Sequence, residues 1–292
     1  MAARFPARSF APFGLLALGG CSAVLDPQGP VGQGDRIILI DALLIMLCIV
    51  VPTILGTLAF AWWFRASNTK ARRLPEFTYS GRVELLVWSI PVLIVLFLGG
   101  IAWIGSHELD PAKPIAAATP GGAKPIEVDV VSLDWKWLFL YPEQGIATVN
   151  QLTVPAGAPI HFRITSASVM NAFFVPRLGS MIYAMHGMTT DLWLRADKPG
   201  TYRGLSSHYS GDGFSDMHFV LNAVPPAQFG AWVAAVKGKG GAMDRPVYTA
   251  LSQQGTMPPA TYGAIQPGLF DAISSGRLPQ APGPKDNQNA AR

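Results

Sequence analysis

Apolar residues run almost unbroken from Ile37 to Phe64, interrupted only by Asp41 near the start and Pro52 in the middle. At 1.5 Å per residue a helix over this run is about 42 Å long, enough to cross a hydrocarbon core of about 30 Å with tilt. A second apolar run, Leu85 to Gly105 with Pro91 inside, predicts a helix of about 32 Å. Membrane helices tolerate such prolines when neighbouring groups re-satisfy the freed carbonyl. The predicted spans are residues 37–64 and 84–105, within a hairpin over 21–109. Trp62, Trp63, Trp88 and Trp103 fall near their ends, as interfacial aromatics do. Between them, Arg65, Lys70, Arg72, Arg73 and Arg82 stand against a single Glu76, which assigns this loop to the cytoplasm and both outer ends to the periplasm. Asp41 reads as an interfacial residue.

Beyond a Pro/Ala/Gly-rich stretch at 110–125, which reads as a linker, the period changes to two. Ile126/Val128/Val130, Ile160/Phe162/Ile164, Leu192/Leu194 and Met217/Phe219/Leu221 alternate with polar residues. Turn signals such as Pro155-Ala156-Gly157 and Lys198-Pro199-Gly200 separate the runs. Residues 126–225 are thus expected to form one β-sandwich. Phe229, Trp232, Val233 and Val236 mark a short amphipathic helix. The rest of 226–292 reads as peripheral helical pieces and a disordered tail.

Half of the residues are hydrophobic and 14% are charged, which favours a membrane protein. The formal charge of +4 includes Arg4 and Arg8 of a candidate signal and is too scattered to suggest nucleic acid. Residues 1–20 carry those arginines, an apolar run from Phe10 to Leu18, and small residues before Cys21. Leu18-Gly19-Gly20-Cys21 resembles a bacterial lipobox, which would make Cys21 the lipidated mature N-terminus. Cys21 and Cys48 both lie outside the sandwich, so no disulfide framework is expected.

Gly200 to Ala223, GTYRGLSSHYSGDGFSDMHFVLNA, reads as two strands around a Ser/Gly-rich loop. The loop resembles the dinuclear copper loop of subunit II of the haem-copper oxidases, C-x-E-x-C-x-x-x-H-x-x-M on a cupredoxin-type sandwich. On that frame Ser206 and Ser210 stand at the cysteine positions, His208 at the glutamate and Phe214 at the histidine. Asn171 stands at the upstream histidine. Only Met217 matches. Copper thiolate chemistry needs soft, anionic sulfur, so the resemblance implies a cupredoxin-like fold that lacks its dinuclear copper site. Together with VSLDWKWLFLYPEQGIATVNQL at 131–152 and SVMNAFFVPRLGSMIYAM at 168–185, the loop resembles subunit II of the bacterial cytochrome bo-type ubiquinol oxidases.

The resemblance implies a non-redox subunit of a proton-pumping enzyme that oxidises ubiquinol and reduces oxygen to water. Haem and copper would belong to partner subunit I, and none to this chain. Further membrane subunits and lipid would complete its partners, with no nucleic acid. The location would be the bacterial inner membrane, with the C-terminal domain in the periplasm and the N-terminus lipid-anchored. In the family the pattern E-x-x-x-W-S/T-x-P, here Glu84, Trp88, Ser89 and Pro91, resembles the segment whose glutamate lies at the entrance of a proton-uptake pathway, which makes Glu84 the candidate for proton entry. The plainer reading of Glu84 is an acid favoured by the helix dipole or paired with Arg82.

Trp135 and Trp137 match the aromatic segment under the copper site of copper-bearing relatives and are expected to pack in the core. A mononuclear metal site from His186, His208, His218 and Met217 would make the chain a free-standing periplasmic metal-binding lipoprotein. Neither H-x₃-H nor C-x₂-C spacing supports it, and these histidines, with His161, read as solvated.

Overall fold

In the computed structural model, which describes residues 22–72, 74–118 and 124–284, one turn (α1, Ser22–Leu25) precedes two long helices, α2 (Pro30–Trp63) and α3 (Gly81–Glu108). The predicted signal peptide, Cys21 and the end of the tail lie outside the described residues. Helix α2 begins ahead of the apolar run because Pro30 suits a first helical position, where the missing N–H has no partner to lose. Residues 34–110 form one compact unit and the other described residues a second.

Within the first unit both helices expose apolar side chains on every face, as a lipid-facing span does. Pro52 removes one backbone donor from α2. At the next residue the Thr53 hydroxyl donates to the Ile49 carbonyl at 2.7 Å, and a turn further on Thr57 donates to the Thr53 carbonyl at 2.8 Å. The helices approach closely at glycines: a Cβ on Gly105 would sit 2.5 Å from Ile38 Cδ1, and one on Gly34 2.7 Å from Leu109. Small residues are what such close approach requires.

In the second unit the chain forms β1 (Ile126–Leu133), β2 (Lys136–Tyr141), β3 (Ile146–Val149), β4 (Gln151–Pro155), β5 (Pro159–Ser166), β6 (Asn171–Phe174), β7 (Ile182–Ala184), β8 (Thr190–Arg195), β9 (Gly200–Ser206) and β10 (His218–Val224). After these come α4 (Pro226–Lys237), β11 (Ala242–Met243), α5 (Arg245–Leu251), β12 (Ala260–Tyr262), β13 (Ala264–Ile265) and α6 (Leu269–Ser274). Two sheets form the sandwich, in the orders β12-β3-β2-β1-β5-β8 and β4-β10-β9-β6-β7. β1 runs parallel to β5, with Val130 opposite Ile164, and antiparallel to β2. The inward positions of both sheets meet in an aromatic core of Trp137, Phe139, Phe162, Phe173 and Phe219. Phe173 and Phe219 stack at 5.1 Å, and Trp137 meets Phe173 edge-on at 5.4 Å. Tyr141 ties the sheets together, donating to Thr153 O at 3.0 Å and accepting from Thr153 N at 2.9 Å.

The C-terminal elements are not peripheral. They close a second core against the outer face of the first sheet, where Val131, Leu133, Leu138 and Leu140 meet Tyr248, Leu251, Leu269, Phe270 and Ile273. This is why β2 is buried at every position instead of alternating. Lys136, 5% exposed, donates from Nζ to the carbonyls of Gln253 and Gly255 at 2.7 Å each. Asn150 Nδ2 donates to Met257 O at 2.8 Å. The described part of the expected linker is likewise bound to the sandwich: Pro111 O accepts from Trp193 N at 2.9 Å and Ala118 N donates to Gly157 O at 3.0 Å.

This covering buries an acid. Burial pushes Asp129 on β1 from 3.8 up to about 7; Arg163 opposes the rise, while Glu127 and Asp271 add to it. A raised carboxyl stabilises the fold fully below the unfolded value near 4 and loses that contribution as pH rises through about 7. Asp129→Asn is therefore expected to be more stable than the parent at pH 8, by about 2 kcal/mol, with the gap closing towards pH 4. Denaturant unfolding of the full chain at both pH values measures this. A gap independent of pH would show that Asp129 titrates normally.

Candidate functional site

β9 and β10 pair up to Leu205 opposite His218, and Ser206 N then donates to Met217 O at 3.0 Å, closing the loop between them at its neck. Ser207 N donates to Ala172 O at 3.1 Å and draws the loop onto β6. That strand begins at Asn171, so the upstream segment and the loop meet. Ser206 Oγ lies 3.1 Å from Asn171 Oδ1 and 3.2 Å from His208 O. Asn171 Nδ2 reaches Val169 O at 3.5 Å, and Ser210 Oγ faces Met217 Sδ at 4.0 Å. Asn171, Ser206, Ser210 and Met217 are all buried. The structure thus brings together five of the six positions singled out by the sequence, with His208 contributing its carbonyl. The sixth, Phe214, opens a short 3₁₀ turn, Phe214–Asp216, and packs edge-on against Tyr209 at 5.7 Å.

Trp135 holds this loop from below. It occupies the two-residue turn between β1 and β2 with φ of 67°, a left-handed conformation that is costly for a bulky residue. Its Nε1 donates to Ser210 O at 2.9 Å, and its ring lies so close to Gly213 that a Cβ there would come within 2.2 Å. Trp137 packs in the core as expected, whereas Trp135 is only partly buried and acts as a loop anchor. Asn150 also adopts positive φ, 54°, and its Oδ1 accepts from Trp137 N at 2.8 Å. The one local signal for this turn is the asparagine itself, a residue type enriched in that conformation. Beside Trp135, burial raises Asp134 above its ordinary value, and the Ser168 hydroxyl donates to it.

The histidines do not converge. His161 is not freely solvated: Nε2 contacts Asp191 at 2.8 Å, Nδ1 lies 3.8 Å from Glu127, and the ring stacks on Trp193 at 4.5 Å. His186 Nδ1 lies 3.2 Å from Ser166 O, His208 meets Tyr183 edge-on, and His218 is exposed. Among the described residues no group of three His, Cys, Asp or Glu side chains could hold a metal ion.

The family model for the periplasmic domain of cytochrome c oxidase subunit II matches residues 126–224. Ubiquinol oxidase subunit 2 of Acetobacter aceti is 51% identical over 259 residues, covering 88% of this chain and 84% of that protein. The chain belongs to the ubiquinol oxidase subunit 2 family. Cytochrome bo(3) ubiquinol oxidase subunit 2 of Pseudomonas aeruginosa is 46% identical over 260 residues, covering 88% of this chain and 77% of that protein. The crystal structure of the periplasmic domain of subunit II of cytochrome oxidase of Bradyrhizobium japonicum covers 43% of this chain and 98% of its own, at 23% identity and a TM-score of 0.39. A subunit 2 of this family is one part of a respiratory oxidoreductase complex, and this chain alone is not the whole active site. Two apolar helices and the periplasmic-domain match make it an inner-membrane protein with its C-terminal domain in the periplasm.

Proposed function

We propose that this chain is the non-redox structural subunit II of a proton-pumping haem-copper oxidase that oxidises ubiquinol and reduces oxygen to water. Its sandwich carries no dinuclear copper, and the haem and copper of the complex reside in subunit I. The observation that carries this reading is the Ser206–Asn171 contact at 3.1 Å. Where two bridging thiolates and an imidazole would be needed, neutral oxygens instead satisfy one another. The Ser210 hydroxyl faces a thioether, Met217 Sδ, at 4.0 Å. These residues do not fit a copper pair. A lipid-soluble quinol delivers electrons within the membrane, so no water-exposed relay is required. The contribution of the chain is packing: two helices against subunit I and a sandwich on its periplasmic face.

Purification in mild detergent tests the proposal. The chain is expected to bring a large haem-containing subunit with it, with no copper assignable to the sandwich. Recovery of the chain alone, with metal bound through its histidines, would instead mean a free-standing metal-binding lipoprotein.

The N-terminus is proposed to be a lipid anchor at Cys21 after removal of residues 1–20. Intact-mass measurement is expected to find a chain that starts at Cys21 and carries acyl groups. Cys21→Ser should abolish the added mass yet leave the chain membrane-bound, because two spans anchor it more firmly than acyl chains do. An unmodified Cys21 would end this reading. Glu84 is proposed to stand at a proton-entry position. It is exposed in the first turn of α3, and no ion pair with Arg82 forms among the described residues. Further along the same helix, Trp88, Pro91, Val92, Val95 and Leu96 line an apolar groove of about 270 Å³, a surface suited to a packed partner helix.

A further inference from the structure

On the outer face of the first sheet, away from the loop, a cleft of about 350 Å³ opens between β1, β2, β5 and the segment 265–271. Its walls include Leu140, Pro142, Pro267, Leu269 and Phe270, and its polar groups include Asp129, Arg163 and Asp271. Three carboxylates share one guanidinium here. Arg163 Nη2 binds Asp271 at 2.8 Å, Nη1 lies 3.4 Å from Glu127, and Nε stays 3.5 Å from Asp129. The guanidinium also lies over the Phe270 ring, 4.7 Å from its centre, so it is held on several sides. Asp129 receives the least. Its side chain is 5% exposed, and among the described residues Oδ1 has no hydrogen-bond donor. His161 faces Glu127 from β5 at 3.8 Å and spends its other nitrogen on Asp191.

We infer that this cleft binds a small organic cation, a primary ammonium on a short aliphatic body, with Asp129 as its counter-ion and the apolar walls around its carbons. An ammonium seated in the cleft would give the Asp129 carboxylate, part of its lining, a hydrogen-bonded counter-ion and balance the excess of carboxylates. A buried carboxylate whose guanidinium partner stays 3.5 Å away and is shared with two other acids is costly, and a hydrogen-bonded cation of its own offsets that cost. The metal alternative is disfavoured, because no three acidic or histidine side chains among the described residues converge closely enough. Arg163 is already held by Asp271 at 2.8 Å, which leaves an anion no free donor fork.

Binding must be linked to protons. Asp129 is held near neutrality by its burial, and a bound cation favours its ionised form, so association releases a proton and weakens as the pH falls below about 7.

Isothermal titration of the purified oxidase complex with putrescine tests the inference, with 1,4-butanediol as the neutral control. Expected results are saturable binding of putrescine alone, affinity lower by about fivefold at pH 6 than at pH 7, and apparent heats that differ between phosphate and Tris because protons are released. Asp129→Asn, for which a folded and more stable domain is expected, should weaken binding at least about tenfold. Asp271→Asn, at a position 60% exposed, should weaken it less. Repeating the titration in nanodiscs identifies the source: loss of putrescine binding only with phosphatidylethanolamine present indicates a lipid headgroup, and equal binding with phosphatidylcholine indicates a soluble amine. Equal binding by the parent and Asp129→Asn, equal binding of the diol, or no saturable binding would overturn the inference.

Discussion

Asn171→His, Ser206→Cys, His208→Glu, Ser210→Cys and Phe214→His, combined in the full chain, are expected to create copper binding with intense thiolate-to-copper absorption. Met217 is already buried against Ser210, at 4.0 Å. The backbone at position 208 already presents its carbonyl 3.2 Å from Ser206 Oγ, and position 171, the first residue of β6, lies within hydrogen-bond range of position 206. What is missing is donor chemistry. Serine hydroxyls are neutral and hard, whereas cysteine near copper ionises and supplies soft anionic sulfur. The change at 214 removes the edge-on contact with Tyr209 at 5.7 Å, worth about 1 kcal/mol, a small loss beside the free energy of binding a transition metal. Ser206→Cys with Ser210→Cys alone is expected to bind copper more weakly, because the nitrogen ligands are absent. Titration with copper, followed by absorption and by metal analysis after desalting, reads the outcome. If the five-fold variant folds and stays colourless, the backbone of the loop has moved away from copper geometry, and Trp135, which fixes Ser210 at 2.9 Å, would be the first residue to examine.

Glu84→Gln is expected to leave haem content and assembly unchanged while slowing turnover of the complex about tenfold, equivalent to about 1.4 kcal/mol on the limiting barrier. The amide keeps the shape of the side chain and its place in the first turn, where Glu84 N donates to Ser80 O at 3.0 Å, but it cannot take up and release a proton. Glu84→Asp retains the acid on a shorter arm and should be milder. Glu84, Trp88 and Pro91 fall on one face of α3 by their spacing, the face that continues into the Trp88–Leu96 groove. An ionisable group at the end of an apolar span is costly unless it meets water, a partner or a channel. A helix cap alone would show up as a change in stability, not in rate. Wild-type turnover of the Gln variant across the working pH range would reduce Glu84 to a first-turn acid favoured by the helix dipole.

Much of this molecule is written in short windows of sequence. Unbroken apolar runs around Ile37–Phe64 and Leu85–Gly105 specify membrane-length helices, because a span must be apolar on every face. The alternation Met217/Phe219/Leu221 specifies a strand with one buried face, and all three residues are buried. The ligand types at 171, 206, 210, 214 and 217 are read directly, since donor chemistry belongs to the residue and not to its surroundings. Other features depend on contacts distant in sequence. The helical pieces after Lys237 carry too short a periodicity to reveal what they cover, and only the packing of Tyr248, Leu269 and Phe270 on Leu138 and Leu140 makes β2 a strand buried on both faces. His161 looks like a surface histidine until β5 lies between Glu127 of β1 and Asp191 of β8. Trp135 looks like a core aromatic until the loop, 75 residues away, brings the Ser210 carbonyl to its indole. Asp129 looks like an ordinary outward acid on an alternating strand, and becomes a buried one only when α6 closes over it. In each case the local pattern determined which side of an element a residue faces. What it met there, and hence its desolvation and its charge, was decided by segments far along the chain that only folding brings together.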